Sequence, residues 1–161
     1  MSSRTLKAVV GLLVVLAAVG WDQGTKHAAR AGLEGKPPVF LVDQVLVLRY
    51  VENEGAFLSL GARLPRSVRT LIFIAFPLVV LAIMVVSILR KGGIPWAMLV
   101  GFSLIVGGGL GNLIDRLLRD GRVGDFIMVG VGGLRTGIFN FADMAVLAGC
   151  AVLLFSPSRQ K

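Results

Sequence analysis

The sequence predicts an α-helical integral membrane protein with four transmembrane helices, a small β-sheet and a short interfacial helix. Two observations carry this fold class. The chain of 161 residues is 55% hydrophobic and only 16% charged, whereas about a quarter of the residues in an ordinary soluble domain are charged. Its apolar residues also come in long runs, which are typical of membrane-spanning helices. We therefore expect a single membrane domain over residues 1–161.

The first predicted span covers residues 6–21. Its basic start and apolar core are also typical of a secretory signal peptide. However, no small-x-small cleavage site leads from it into a soluble domain, and further apolar runs follow. The run is short for a span, but Lys7 can snorkel to one interface and Trp21 suits the other. We therefore expect this segment to stay in the protein and to end just before Asp22.

The polar region 22–69 is expected to hold strands and a short helix. A cluster of Gly and Pro residues breaks any helix near its start. The segment 39–51 is rich in β-branched residues and partly alternates, which favours one or two strands. Residues 53–55 are typical of a turn. Arginines at intervals of three, from Arg63 to Arg69, could line one face of an interfacial helix.

Three further spans complete the predicted bundle, at residues 70–89, 94–114 and 138–156, with an exposed loop at 116–137. Gly107 and Gly111 lie four residues apart on one helix face, so a neighbouring helix can approach closely. Four spans place both termini on one side of the membrane. The basic termini and the basic turn between the second and third spans would share that side, which the positive-inside rule identifies as cytoplasmic.

The formal net charge of +8 would suggest nucleic acid as a partner if the protein were soluble. Here the basic residues are scattered between apolar runs, so we attribute the charge to anionic lipid headgroups and expect no nucleic acid. The single cysteine, Cys150, allows no intramolecular disulfide. The single histidine, His27, has no cysteine nearby, so neither a metal nor another cofactor is expected.

Polar side chains are concentrated at the ends of the last two apolar segments, where charge is costly. Asn112, Asp115 and Arg116 lie three and four residues apart and therefore share one helix face. Asn140 and Asp143 are three residues apart near the start of the last span. Under the four-span topology these two helix ends lie on the same, non-cytoplasmic side.

Asp125 belongs to the loop that joins the two helix ends, so it can approach Asp143, and Asp22 lies at the same level. Two close carboxylates at a poorly solvated site cannot both ionise easily and share a proton. Aspartic proteases use this arrangement. The charged member takes a proton from the attacking water, and the protonated member donates to the peptide carbonyl. The chain offers no Ser-His or Cys-His set, and this mechanism needs none.

The spacing of these residues leaves several alternatives open. An Asp just inside a span can be a helix cap or a buried ion-pair partner. Asp115 beside Arg116, and Asp125 near Arg122, could be plain salt bridges. A carboxylate metal site or a proton relay in a transporter would use the same residue types.

Five short polar motifs follow one another along the chain. They are Asp22-Gln23-Gly24-Thr25-Lys26, Asn53-Glu54-Gly55-Ala56, Asn112-Leu113-Ile114-Asp115-Arg116, Asp125-Phe126 and Phe139-Asn140-Phe141-Ala142-Asp143. In this order they resemble the DQxxK, NxGA, GNxxDR, VDF and FNxAD motifs of the lipoprotein signal peptidase family (signal peptidase II), bacterial membrane aspartic peptidases. The resemblance covers nearly the whole chain.

The resemblance implies that Asp125 and Asp143 are the catalytic pair, without a metal or other cofactor. It implies a periplasmic β-sheet, called the cradle, beside the site. It also places a set of substrate-binding or supporting residues around the pair. These are Asp22, Lys26, Asn53, Gly55, Asn112, Asp115, Arg116 and Asn140.

The substrate implied by the resemblance is a prolipoprotein whose lipobox Cys carries diacylglycerol, cleaved just before that Cys. The implied location is the bacterial cytoplasmic (inner) membrane, with the active site at the periplasmic face and both termini in the cytoplasm. Membrane lipid and the cyclic peptide inhibitor globomycin are the other implied partners. The alternative is a catalytically inactive lipoprotein- or lipid-binding membrane protein, against which the retention of both aspartates argues.

Two positions depart from the family's pattern. Phe57 stands where a second small residue is usual, and Gly124 stands where Val usually precedes the first catalytic Asp. We expect Phe57 to reshape the cradle and the choice of substrate. We expect Gly124 to loosen the backbone beside Asp125, because glycine is conformationally permissive.

Overall fold

A computed structural model describes residues 2–55, 60–90 and 94–156. Within these ranges the helices are α1 (Ser3–Leu33), α2 (Arg66–Arg90), α3 (Trp96–Leu118) and α4 (Phe141–Phe155). The strands are β1 (Val39–Leu41), β2 (Leu46–Asn53), β3 (Val123–Val131) and β4 (Leu134–Arg135). The predicted combination of four helices with a small sheet is therefore confirmed. Phe57, for which an effect on the cradle was predicted, lies outside the described residues.

The outer surface of the helices is apolar. Helices α1, α2 and α3 are long and apolar enough to cross a membrane, and α4 is a shorter apolar helix of 15 residues. Large apolar side chains point away from the bundle, among them Leu13, Ile83 and Leu147. A helix that is apolar on its outward face is stable in lipid rather than in water. The chain is thus a membrane-embedded protein of several helices.

Helix α1 is longer than the predicted span. It continues through Asp22 and Lys26 and ends at Leu33, just before the Gly and Pro cluster. The two charged side chains are fully buried and their charged atoms lie 2.8 Å apart. Because each charge is paired with the other, the helix can continue through both residues without exposing them to water. Asp22 therefore lies inside a helix, not at a helix end as the sequence suggested.

The short helix predicted near the arginines corresponds to Arg66–Thr70, which is the start of α2 and not a separate helix. It continues without a break through a π-helical turn, Leu71–Ala75, into the remainder of α2. Arg63 precedes it in a turn. The two arginines of the short helix pair with acids from other segments: Arg66 with Asp120, and Arg69 with Glu54. Such π-helical turns are rare and often occur at functional sites.

Glycines on α3 allow close helix packing, as predicted. A Cβ atom added to Gly107 would lie 3.2 Å from the carbonyl oxygen of Val15 on α1. One added to Gly111 would lie 2.5 Å from a carboxylate oxygen of Asp22. The backbone of α3 therefore packs closely against α1. The polar end of α3 lies beside the polar part of α1.

The four strands form one antiparallel sheet in the order β1-β2-β3-β4. Strands β1 and β2 confirm the prediction for residues 39–51. Strands β3 and β4 lie in the region 116–137, which the sequence analysis treated as an exposed loop. That assignment was wrong because the first half of β3 is buried on both faces, and the two glycines and the Asp of this strand hide the usual alternating pattern.

The sheet packs against the extended part of α1. Its core cluster joins Ala29 of α1 to Tyr50, Phe126 and Ile127 of the sheet. The pairing of β2 with β3 places Val51 opposite Asp125. The extension of α1 is thus the support that holds the sheet, and with it Asp125, over the ends of α3 and α4.

Candidate active site

A cavity of about 420 Å³ lies among α2, α3, α4 and the inner strands of the sheet. Both Asp125 and Asp143 line it. Its other polar lining residues are Asn53, Asn112 and Arg116. Its remaining walls are mostly apolar and include Phe73, Pro77, Leu113, Val123, Ile138 and Val146. A mostly apolar cavity with a few convergent polar groups is the usual form of a ligand or substrate site.

Asp125 is carried by β3 and is only 4% exposed. Its carboxylate accepts hydrogen bonds from Asn53 Nδ2 at 3.0 Å and from Asn140 Nδ2 at 2.6 Å. The pKa of this carboxyl is raised to about 6, chiefly by burial and also by the nearby charge of Asp143, while the hydrogen bonds from Asn53 and Asn140 act in the opposite direction. Asp125 can therefore bind or release a proton near neutral pH.

Asp143 lies in the first turn of α4, where it forms a capping box with Asn140. The backbone N–H of Asn140 donates to Asp143 Oδ2 at 3.1 Å, and the backbone N–H of Asp143 donates to Asn140 Oδ1 at 3.0 Å. Asn112 Nδ2 donates to the other carboxylate oxygen of Asp143 at 2.8 Å. The helix-cap alternative is therefore correct for Asp143, but the capping geometry still leaves this carboxylate on the cavity wall.

Two amide side chains connect the two carboxylates. Asn140 Nδ2 donates to Asp125 and also to Asn112 Oδ1, at 3.1 Å. Asn112 in turn donates to Asp143. Asn140 is fully buried. A buried network in which the amides have partners on both sides fixes the directions of both carboxylates.

A buried charge cluster supports this network from behind. Lys26 Nζ lies 2.8 Å from Asp22 Oδ2 and 3.1 Å from Asp115 Oδ2, and it donates to Asn112 Oδ1 at 2.9 Å. Asp22 Oδ1 accepts from the backbone N–H of Ala142, in the first turn of α4, at 2.9 Å. Asp22, Lys26 and Asp115 do not line the cavity. They tie α1, α3 and α4 together at the level of the two carboxylates.

The two salt bridges considered from the sequence are not the ones that form. Asp115 pairs with Lys26 and, at 3.7 Å, with Arg119 instead of Arg116. Arg122 pairs with Glu52 at 2.5 Å instead of Asp125. Residues adjacent in sequence point in different directions here, and the partners come from other segments.

Arg116 joins the cavity to the turn after β2. Its Nη2 donates to the carbonyl oxygen of Gly55 at 2.8 Å, and the Gly55 N–H donates to Asn53 Oδ1 at 3.0 Å. The guanidinium lies 5.2 Å from the ring centroid of Phe73, within the range of a cation–π contact. Arg116 Nη1 is buried and has no hydrogen-bond partner among the described residues. This N–H group can donate to a peptide carbonyl in the cavity.

Family comparison agrees with this geometry. The profile of the family described as Signal peptidase (SPase) II matches residues 14–158. The chain belongs to the signal peptidase II family. It is accordingly an aspartic-type peptidase that removes signal peptides from prolipoproteins in a membrane environment.

Relatives and solved structures support the assignment. A protein of Leifsonia xyli subsp. xyli called "Lipoprotein signal peptidase" is 38% identical over 162 residues, which cover 94% of this chain and 70% of the relative. One of Chlorobium phaeobacteroides with the same name is 37% identical over 144 residues, with coverages of 83% and 86%. A solved structure described as a bacterial membrane enzyme, determined by the in meso method at 2.3 Å, matches 94% of this chain and 92% of its own with a TM-score of 0.79 and 28% identity. A second, at 1.9 Å, covers 94% of both chains with a TM-score of 0.80 and 25% identity.

Some residues of this candidate site could not be predicted from the sequence. Gln23 belongs to the first motif, but its position in the sequence indicated no role. Its Nε2 lies within hydrogen-bond distance of Asp22 at 3.1 Å, Gly111 O at 3.0 Å and Asp115 at 3.2 Å. The predicted span ended at residue 21, so Gln23 was expected to lie outside the helix. It lies within α1, which continues to Leu33. Phe73 carried no signal, since it is one apolar residue within an apolar run.

The expectation that Gly124 loosens the backbone beside Asp125 was wrong. The N–H of Gly124 donates to Asp115 Oδ2 at 3.0 Å, and the residue pairs with Glu52 in the sheet. The space where a side chain would lie is occupied: a Cβ atom at this position would be 2.8 Å from Arg119 Nη1 and 3.0 Å from the Tyr50 hydroxyl. The backbone before Asp125 is held by neighbouring groups despite the absence of a side chain.

Proposed function

We propose that Asp125 and Asp143 are the catalytic pair with which this signal peptidase cleaves diacylglyceryl-modified prolipoproteins, just before the lipidated Cys. The observation that carries this proposal is that both carboxylates line the same cavity and are joined through Asn140 and Asn112. The pKa of about 6 for Asp125 supports it, since a group that exchanges protons near neutral pH suits general acid–base catalysis.

The reaction would proceed by general acid–base chemistry on water. The ionised member of the pair removes a proton from a water molecule as the water oxygen bonds to the scissile carbonyl carbon. The protonated member donates its proton to the carbonyl oxygen, which gives a neutral tetrahedral intermediate. The carboxyl that took the proton from water then gives it to the amide nitrogen, the other carboxylate takes a hydroxyl proton back, and the C–N bond breaks. The products are a free carboxyl group and the amino group of the lipidated Cys, and the pair is restored.

The shape of the cavity supports a lipidated, largely apolar substrate. Its walls of Leu113, Ile138 and Val146 can receive the apolar side chains around the cleavage site. Arg116 and Asn53 lie among the polar lining residues and can donate to the carbonyl oxygens of an extended peptide. The acyl chains of the diacylglycerol would remain in the membrane beside the helices, whose outer surfaces are apolar.

We infer that the protein lies in the bacterial cytoplasmic (inner) membrane, with the cavity at the periplasmic face and both termini in the cytoplasm. The bundle end opposite the cavity is basic. There Arg4 donates to the carbonyl oxygen of Leu89 at 2.9 Å, and Lys7 donates to that of Ile94 at 2.7 Å. The positive-inside rule favours a cytoplasmic position for such an end.

Replacement of each aspartate by Asn tests the proposal, because Asn keeps the shape of the side chain but cannot exchange a proton. Asp125→Asn and Asp143→Asn should each slow the processing of a diacylglyceryl prolipoprotein, followed by gel shift, by at least about 10²-fold to 10⁴-fold. Asp43→Asn, at an exposed turn, is the matched control and should process normally. Normal cleavage by both active-site variants would refute the pair.

Globomycin extends the same experiment. We propose that it blocks this enzyme by occupying the cavity that holds Asp125 and Asp143. Added to the native enzyme, it should stop the gel shift. Raising the prolipoprotein concentration should restore cleavage, because inhibitor and substrate would compete for one cavity.

A further inference from the structure

A β-bulge in β2 lies directly beside Asp125. Strands β2 and β3 pair Leu48 with Ile127, and then Val51 with Asp125. Two residues of β2, Arg49 and Tyr50, therefore stand opposite one residue of β3. Such bulges are common next to active sites, where they redirect side chains.

The extra residue decides which side chains face the same way as Asp125. Side chains directly opposite one another in a sheet share a face, and so do residues two apart along a strand. With the bulge, Val51 and therefore Asn53 share the face of Asp125, and Asn53 donates to it at 3.0 Å. A regular ladder continued from Leu48 and Ile127 would pair Tyr50 with Asp125 instead, and Asn53 would point to the opposite face.

Tyr50 is fixed in this bulge by a contact from α3. Its ring is buried, with 8% exposure, and its hydroxyl accepts a hydrogen bond from Arg119 Nη1 at 2.7 Å. Arg119 immediately follows the last residue of α3, and its Nη2 lies 3.7 Å from Asp115 Oδ1. The Tyr50–Arg119 pair thus links the bulge to the helix whose other side chains contact Lys26 and Asp143.

This pair covers the backbone of the residue before Asp125. A Cβ atom on Gly124 would lie 2.8 Å from Arg119 Nη1, 3.0 Å from the Tyr50 hydroxyl and 3.1 Å from Tyr50 Cε2. The hydrogen bond between Arg119 and Tyr50 can form here because residue 124 has no side chain. On the other side, the Gly124 N–H is held by Asp115 at 3.0 Å.

We propose that Tyr50 and Arg119 are positioning residues, whose hydrogen bond over Gly124 fixes the bulge register and the direction of the Asp125 carboxylate into the cavity. This role rests on the proposed catalytic function of Asp125. Neither Tyr50, Arg119 nor Gly124 lines the cavity. Loss of their contact should therefore lower kcat more than it raises KM, because the reacting carboxylate moves while Arg116 and the apolar walls of the cavity stay in place.

Three variants measure the role. Tyr50→Phe removes the hydroxyl that accepts from Arg119. Gly124→Ala places a methyl group where the Arg119 guanidinium lies and separates the same pair. Each should reduce kcat on the order of tenfold, since misplacement of a catalytic group by 1 Å can cost about 10²-fold. The double variant should be no slower than the slower single variant, because both changes break one contact.

Two controls make the result decisive. Arg49→Ala changes the exposed neighbour of Tyr50 in the same bulge and should leave both kcat and KM at the native values. All rates are compared at a temperature at which thermal unfolding shows every variant to be folded. Asp125→Asn is measured in parallel and should be inactive.

The outcomes separate this role from the catalytic pair. If Asp125→Asn is inactive while Tyr50→Phe and Gly124→Ala keep native kcat, the positioning role is refuted and the pair stands. Independent, multiplying losses in the double variant, or a change in KM alone, would also refute the role. Activity of Asp125→Asn would refute the pair, and with it the role.

Discussion

The buried carboxyl of Asp125 makes the stability of the folded protein depend on pH. Its pKa rises from the ordinary 3.8 to about 6, chiefly because burial removes water; the charge of Asp143 also raises the pKa, whereas that of Lys26 lowers it. The folded state then binds this proton more tightly than the unfolded state between these two pH values. The free energy of unfolding should therefore fall as the pH rises from about 4 to about 6 and stay low above that range.

Asp125→Asn should remove this dependence. One pKa unit corresponds to about 1.4 kcal/mol, so between pH 4 and pH 8 the native protein should lose about 2.5 kcal/mol of unfolding free energy relative to the variant. Chemical unfolding in detergent micelles at the two pH values measures the difference. Asp43→Asn, at an exposed turn, should follow the native protein at both. If the difference in unfolding free energy between the native protein and Asp125→Asn were the same at pH 4 and pH 8, the raised pKa of Asp125 would not be the cause of the pH dependence.

At the residue scale, the sequence indicated which polar groups matter but not which of them meet. Asp22, Asn112 and Asp143 could be selected because charged and amide groups are costly at the ends of apolar segments. The residues that they contact could not be predicted in the same way. Asp115 has Arg116 next to it in sequence, yet its contacts are with Lys26 from α1 and with the backbone of β3. Such pairings depend on how the helices cross, and a local sequence pattern does not determine this.

At the element scale, the polar half of α1 depends on the buried charge of Lys26. This side chain is fully buried between Asp22 and Asp115. Lys26→Met would keep the length of the side chain but leave two buried carboxylates without their cation. We expect a loss of about 3–5 kcal/mol in unfolding free energy, which is typical when one partner of a buried ion pair is removed.

Two further variants separate charge from packing in this cluster. Lys26→Met combined with Asp115→Asn should recover part of the loss, because one of the stranded charges is then gone. Lys36→Met, at an exposed position just after α1, should unfold like the native protein. If Lys26→Met were as stable as Lys36→Met, the cluster would not support the fold in the way described.

The elements themselves were predictable to different degrees. Apolar runs gave the four helices, and glycines at intervals of four on α3 correctly indicated close packing. The end of α1 was missed because Asp22 and Lys26 look like groups that need water, whereas they neutralise each other inside the bundle. Strand β3 was missed because a strand that is covered on both faces and contains Gly and Asp depends on tertiary contacts more than on its own pattern.

At the scale of the whole molecule, the extension of α1 beyond the apolar run links the helices to the sheet. It carries Asp22 and Lys26 at the level of the two carboxylates, and Ala29 further along in contact with Tyr50 and Phe126. The cavity is lined by three helices, α2, α3 and α4, and by the sheet, at the end of the bundle that α1 supports from behind. The basic start of α1 lies at the other end, where Arg4 and Lys7 donate to the carbonyl oxygens of Leu89 and Ile94. The molecule therefore has two chemically different ends.

The difference between the two ends predicts how the protein is oriented. In a Cys150→Ala background, Asp43→Cys would place a thiol on the β1–β2 turn, and Ser2→Cys would place one at the start of α1. A membrane-impermeant maleimide added to intact spheroplasts should modify Asp43→Cys at once. It should modify Ser2→Cys only after the membrane is permeabilised, because basic helix ends remain in the cytoplasm. The Cys150→Ala protein without an added thiol is the blank. The opposite labelling pattern would place the cavity on the cytoplasmic side, where a prolipoprotein that has already crossed the membrane could not reach Asp125 and Asp143.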